Sequence, residues 1–189
     1  MIRAIIFDCF GVLYGGSVEV LAAMAPAGRS QDVYDASNAK DYGYISYQEH
    51  LQQVGDIIGK TAAEVDDIIK RRQIANDALI AYARELKAHY KIGLLSNIGD
   101  HMFERLFGGE AGELFDTVVL SYQEGMIKPD PNIFILTAER LGLLPEECIM
   151  IDDREENCDG ARRAGMQAIL HTSNDITRRR IAEITSELQ

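Results

Sequence analysis

Positive charge is scarce in this chain. Against 30 Asp and Glu stand 19 Lys and Arg, a formal net charge of -11, so the molecule as a whole repels a phosphate backbone instead of releasing counterions from it. That argues against nucleic acid as a partner. It also requires that any anionic substrate be held by local cations, backbone donors or a metal. Cysteine is sparse too: Cys9, Cys148 and Cys158 are odd in number and form no CxxC pair. This argues against a disulfide scaffold and fits a reducing compartment, with the cytoplasm as the default. No apolar run is long enough to span a membrane, and the apolar start at residues 2–7 is too short for a signal-peptide core. His50, His89, His101 and His171 form no HxxxH or HExxH set, so solvated or hydrogen-bonded roles suit them better than metal binding. Repeats, low-complexity tracts and flexible linkers are also missing.

What is present is the raw material of an ordinary globular core. The 189 residues, 47% of them hydrophobic, suit one core with a modest insertion. Five short apolar runs, at residues 2–8, 91–97, 116–122, 147–153 and 166–172, read as strands buried on both faces. Helical patterns at residues 77–90, 100–107, 131–141, 155–164 and 175–188 alternate with them. Asp130 before Pro131 reads as an N-cap, and Gly142 and Gly165 as C-caps. The alternation predicts an α/β fold with a doubly wound, Rossmann-like parallel sheet. The segment 14–76 breaks the rhythm. Ser46-x-x-Glu49 and Thr61-x-x-Glu64 are capping boxes, and the stretch reads as a small helical insertion after the first strand. The expected division is a core of residues 1–13 and 77–189 with a cap of residues 14–76.

In an open parallel sheet, ligands bind beyond the carboxyl ends of the strands. Those ends carry Asp8, Ser96-Asn97 and Asp152-Asp153, and Lys128 lies in the loop after the third strand. Converging carboxylates cannot all stay ionised unaided, because two like charges ~4 Å apart repel by roughly 4 kcal/mol at an effective dielectric near 20. Either one is protonated or a cation sits among them, and oxygen ligands of this kind suit Mg²⁺.

These residues also carry a family resemblance. FDCFGVL (7–13), LLSN (94–97), GMIKPDPNIF (125–134) and IDDREENCDGARRAGM (151–166) resemble the four motifs of the haloacid dehalogenase (HAD)-like hydrolase superfamily. YGYISYQEHL (42–51) resembles the cap of subfamily IA, which inserts a helical C1 cap after its first strand. The nearest branch holds the N-terminal phosphatase domain of soluble epoxide hydrolases and the bacterial sugar-phosphate phosphatases. The resemblance implies a phosphatase acting on a small phosphorylated metabolite through an aspartyl-phosphate. Asp8 is then the nucleophile, Ser96 and Lys128 hold the phosphoryl group, and Asn97 assists. Mg²⁺ is held by Asp8, the Phe10 backbone carbonyl, Asp153 directly, and Asp152 directly or through water.

Phe10 departs from the pattern. Most phosphatases of the superfamily carry a second Asp there as general acid and base, and such help is worth ~10²- to 10⁴-fold in rate. Three outcomes follow: a phosphatase limited to good leaving groups, one with its proton donor elsewhere, or an inactive binding protein. Tyr14, Tyr44 and His50 are the conceivable donors. Phe10 also points weakly toward 2-haloacid dehalogenation, which uses no metal, whereas the acidic pair Asp152-Asp153 points more strongly away from it.

Three other signals are set aside. Gly59-Lys60-Thr61 resembles the end of a P-loop but reads as a helix break and new cap. Cys9, by strand alternation, should point away from Asp8. Arg178-Arg179-Arg180 reads as a solvated helix face.

Overall fold

The structure, a computed structural model, describes residues 1–99, 102–108 and 111–186. Five strands, β1 (Ala4–Phe7), β2 (Lys91–Ser96), β3 (Thr117–Leu120), β4 (Cys148–Asp152) and β5 (Gln167–Leu170), form one sheet in the order β3-β2-β1-β4-β5. Every pairing is parallel. Because strand side chains alternate between faces, β1 serves two cores at once. Ile5 and Phe7 join Leu94 and Ile151 on one face, while Ala4 and Ile6 join Leu95 and Met150 on the other. With both faces buried, the strands read as continuous apolar runs, as the sequence predicts.

Helices α1 (Val18–Met24), α2 (Ser30–Asp41), α3 (Tyr47–Ile58) and α4 (Ala62–Arg72) lie between β1 and the next helix, α5 (Asp77–Leu86). Short helices α6 (Met102–Phe107), α7 (Ala111–Leu114) and α8 (Ser121–Glu124) flank β3, followed by α9 (Pro131–Leu141), a 3₁₀ turn (Pro145–Glu147), α10 (Glu155–Arg163) and α11 (Asn174–Ser186). One face of the sheet receives α5 and α11 through Leu79, Ala83 and Ile181, and the other receives α9 and α10 through Phe134 and Ala161. Leu21, Val33, Leu51, Val54 and Val65 of the inserted helices belong to the first of these clusters. Both capping boxes form, and Gly59 ends α3 in the left-handed conformation, φ 71°. Asp130 caps α9 through the Asn132 N–H, and Gly142 closes it at φ 68°.

The helix expected over 77–90 stops at Leu86, because Lys87 to Tyr90 turn tightly back toward β2 through the Ala88 N–H to Glu85 O and His89 N–H to Leu86 O bonds. The start expected for the next helix, Asp100 and His101, lies outside the described residues, as does the end expected at Leu188. The third strand is shorter than expected because Ser121 opens α8 and is fully buried. Its hydroxyl donates to the Asp41 carbonyl of α2 at 2.6 Å and accepts from the Ile98 N–H at 2.9 Å. Among the described residues no helix is long and apolar enough to cross a membrane.

Ser121 therefore ties the inserted helices to the sheet edge. Replacing it with Ala strands a buried donor and a buried acceptor, and should cost about 1–3 kcal/mol in urea unfolding. Amide exchange at Ile98 should accelerate. Unchanged stability together with unchanged Ile98 protection would contradict this role.

Candidate functional site

Strand order turns back on itself at β1, and the polar ends of four segments meet there. Asp8 directly follows β1, and its N–H donates to Ile151 O at 2.9 Å. It lies one residue beyond the Phe7–Ile151 pairing and so stands level with Asp152, which ends β4. Lys128 arrives from the loop between α8 and α9, where Asn97 clasps its backbone twice. The Asn97 Nδ2 donates to Lys128 O at 3.0 Å, and its Oδ1 accepts from the Lys128 N–H at 2.8 Å. Thus anchored, Lys128 Nζ sits 2.8 Å from Asp8 Oδ1 and 2.6 Å from Asp152 Oδ2, and donates to Leu95 O at 3.1 Å.

The other Asp152 oxygen is also engaged, accepting from the Arg154 N–H at 3.0 Å and Asn157 Nδ2 at 2.9 Å. Asp153 is the exposed member of the acidic set. Its carboxylate lies over Gly11, where a built Cβ would come within 2.0 Å of Oδ2. At φ 85° this turn favours glycine on backbone grounds, and any side chain there would have to displace the Asp153 carboxylate.

One ammonium faces three carboxylates, and one oxygen from each of Asp8, Asp152 and Asp153 lies within 4.8 Å of the others. The imbalance shows in their proton affinities. Burial pushes the Asp8 carboxyl up to about 7, with Lys128 opposing and the neighbouring acids adding to it. Asp153 reaches solvent, yet partial desolvation and the Asp152 charge raise it to about 6. Burial alone would depress Lys128, but Asp152 and Asp8 outweigh it and hold the ammonium charged above its usual range. Two buried oxygens, Ser96 Oγ and Asn157 Oδ1, have no hydrogen-bond partner among the described residues, each at a cost of about 1–3 kcal/mol. Hard oxygen donors, surplus negative charge and unpartnered buried oxygens together fit a divalent cation such as Mg²⁺ with an oxyanion ligand.

A partly enclosed cavity opens onto this cluster. Asp8, Phe10, Asn97, Lys128, Asp153 and Asn157 line its sheet side. Ser96 is fully buried at the end of β2 and does not line the cavity, whereas its neighbour Asn97 does. Of the conceivable proton donors only His50 lines it. Tyr44 is 75% exposed and stacks on Tyr42, and Tyr14 donates its hydroxyl to Leu106 O at 2.8 Å. Cys9 packs in the core with Ile5 and Phe7, and burial drives its thiol well above its ordinary value. Among the wall residues that the inserted helices add and sequence reasoning missed is the adjacent charged pair Lys40 and Asp41.

Residues 2–165 match the family model of the haloacid dehalogenase-like hydrolases. A glyceraldehyde 3-phosphate phosphatase of Methanopyrus kandleri is 28% identical over 89% of this chain and 83% of its own length. A phosphatase of Mycobacterium tuberculosis is 32% identical over 59% of this chain and 52% of its own. Among solved structures, a HAD family enzyme of Bacteroides thetaiotaomicron, in complex with magnesium and inorganic phosphate, superposes with a TM-score of 0.71 at 22% identity. That superposition covers 92% of this chain and 96% of the other. The L-2-haloacid dehalogenase of Xanthobacter autotrophicus superposes with a TM-score of 0.63 at 21% identity, covering 97% of this chain and 83% of the other.

Asp8 binds its proton more tightly in the folded chain, about 7 against an ordinary 3.8. Its stabilising contribution is therefore complete below 3.8 and is lost as pH rises through about 7. Asp8→Asn keeps the shape and removes the charge. In metal-free buffer it should melt above wild type at about pH 8, with the gap narrowing toward about pH 4. A variant that melts lower than wild type at the higher pH would contradict this reading of the site.

Proposed function

The chain belongs to the haloacid dehalogenase-like hydrolases, and from that premise we propose that it is a Mg²⁺-dependent phosphatase of a small phosphorylated metabolite such as a sugar phosphate. The observation that carries the reading is the buried Lys128 ammonium shared by Asp8 and Asp152, with Asp153 beside them. Such an arrangement aligns a carboxylate and concentrates positive charge at one point, which is what phosphoryl transfer chiefly requires. The phosphatases among its relatives support the same reaction class.

Asp8 attacks phosphorus and becomes an aspartyl-phosphate, which water then hydrolyses to release phosphate and restore the carboxylate. Lys128 steadies Asp8 and the phosphoryl oxygens and Asn97 holds Lys128 in place, while Ser96, which the resemblance assigns to the phosphoryl group, is buried off the cavity. Asp8, the Phe10 carbonyl and Asp153 would hold Mg²⁺. Asp152, whose two oxygens already serve Lys128, Arg154 and Asn157, would contribute directly or through water. When bound, the ion supplies neutralisation of charge on the carboxylates and phosphoryl oxygens. Residues 14–76 act as the cap that shelters the site from solvent. Three free, buried thiols suit a cytoplasmic setting.

Phe10 lines the cavity and its ring carries no transferable proton, so the leaving group departs with little help. Dehalogenation is the weaker reading, because without a cation the acids beside Lys128 would repel a haloacid carboxylate by several kcal/mol.

Phosphate release should require Mg²⁺, vanish in EDTA and fall at least ~10³-fold in Asp8→Asn. Across a series of esters the rate should rise steeply as leaving-group pKa falls. Turnover that survives EDTA, or equal rates for wild type and Asp8→Asn, would overturn the proposal. A flat leaving-group dependence would reveal a general acid in place of the missing Asp.

A further inference from the structure

A second polar network lies apart from the acidic cluster, where α3 and α4 of the insertion meet α6, the helix that follows β2. Its centre is Asp66 of α4. Tyr47, at the start of α3, donates its hydroxyl to Asp66 Oδ1 at 2.7 Å, and Lys70 Nζ approaches Oδ2 at 2.5 Å. Burial alone would raise the Asp66 carboxyl, but Lys70, the Tyr47 hydroxyl and Arg105 outweigh it and hold it below its ordinary value. Tyr47, Asp66 and Lys70 all belong to the insertion, so their contacts fasten α3 to α4 only. Arg105 comes from α6. Its Nη1 stands 3.7 Å from Asp66 Oδ1, its Nη2 donates to Gln73 Oε1, and its guanidinium carbon lies 5.8 Å from the centroid of the Tyr47 ring. Gln73, which caps the end of α4, donates in turn to Met102 Sδ of α6 at 3.0 Å.

α6 is itself seated on the sheet edge. Phe107 meets Phe115, just before β3, edge-on at 5.2 Å, and Met102 is buried in the same apolar cluster as Leu94 and Leu120. The helix also grips the point where the insertion leaves the sheet. Tyr14 donates its hydroxyl to Leu106 O at 2.8 Å and packs edge-on against Phe107 at 5.2 Å, and it bridges to Ala75 at the other end of the insertion. A single exposed ion pair contributes little. Here, however, one planar fork spans Asp66 and Gln73 and covers the Tyr47 ring, with side-chain exposures of only 34% for Arg105 and 21% for Asp66, so removing Arg105 breaks several contacts at once. Ser121 fastens the end of α2, and Arg105 is the corresponding tie for α3 and α4. It stands directly behind the cavity, which Tyr47, Gln73 and Met102 help to line.

We propose that Arg105 is a positioning residue for the reaction: through Asp66, Gln73 and Tyr47 it seats α3 and α4 over the acidic cluster, without itself touching the phosphoester. The kinetic consequence rests on the phosphatase reading above. When the arrangement that binds substrate is populated in only a fraction of molecules, apparent affinity falls by that fraction. Losing the tie therefore raises KM and leaves kcat, which is set at Asp8, nearly unchanged. The shape of the guanidinium matters as well as its charge, because a point-like ammonium cannot serve Asp66 and Gln73 together as the planar fork does.

The test uses the full chain with Mg²⁺ and 4-nitrophenyl phosphate. Arg105→Ala should raise KM about 10-fold with kcat within about twofold of wild type, and Arg105→Lys should recover part of the loss. Asp66→Asn should raise KM as well, and joined to Arg105→Ala it should cost less than the product of the two single effects. Amide exchange over residues 62–73 and at Ala75 should accelerate in Arg105→Ala, while β1 and β4 keep their protection. If Arg105→Ala does not fold, as judged by its melting curve, Asp66→Asn and Arg105→Lys are compared on the same readouts. Folded variants with unchanged KM, or a fall in kcat at unchanged KM, would overturn the positioning role alone. A wild type that releases no phosphate would overturn the phosphatase reading, and amide exchange then decides the tie by itself: unchanged protection over residues 62–73 would overturn that too.

Discussion

Lys128 is the interaction on which the rest of the site depends. A buried ammonium is costly unless it is paired and hydrogen-bonded, and here its three donors meet Asp8, Asp152 and the Leu95 carbonyl. Two strand ends and a loop from three distant parts of the chain are thereby drawn to one point. The pairing leaves the acids in excess, and the folded chain tolerates this by letting Asp8 and Asp153 hold protons more tightly than usual. A site that is electrostatically incomplete by itself is suited to a cation and an oxyanion, and stability given up here is consistent with function.

The sheet fixes the geometry. Parallel pairing of β1 with both β2 and β4 sets Asp8 between Leu95 and Asp152, and burial of both faces makes a slip of register costly. The loops then refine it. Asn97 spends its whole side-chain amide on the Lys128 backbone, and Gly11 lets the Asp153 carboxylate lie against the turn after β1. The inserted helices share their apolar core with one face of the sheet and are fastened to its edge through Ser121. Their wall of Lys40, Asp41 and His50 therefore stands in a fixed relation to the acidic cluster.

Local sequence carries the elements well, because strands buried on both faces and capped helices leave short-range marks. The run at residues 2–8 and the Asp130-Pro131 start of α9 are legible for that reason. The acidic strand ends and Lys128 were also readable, since in a parallel sheet the strand termini share one edge. What lies across the cavity was not. Lys40 and Asp41 sit on a helix of weak amphipathic pattern, and their burial comes from Gly99 and Ser121, residues remote in sequence. The stop of α5 at Leu86 and the start of α8 at Ser121 likewise depend on contacts that no local window contains.

The central claim is that three carboxylates gathered around one ammonium need a divalent ion. Calorimetric titration of Mg²⁺ into the metal-free protein tests it most directly. The account predicts one ion per chain, protons released on binding at about pH 6 as Asp8 and Asp153 ionise, and at least ~10-fold weaker affinity in Asp153→Asn. Absence of binding at millimolar Mg²⁺, or equal affinity in Asp153→Asn, would contradict it.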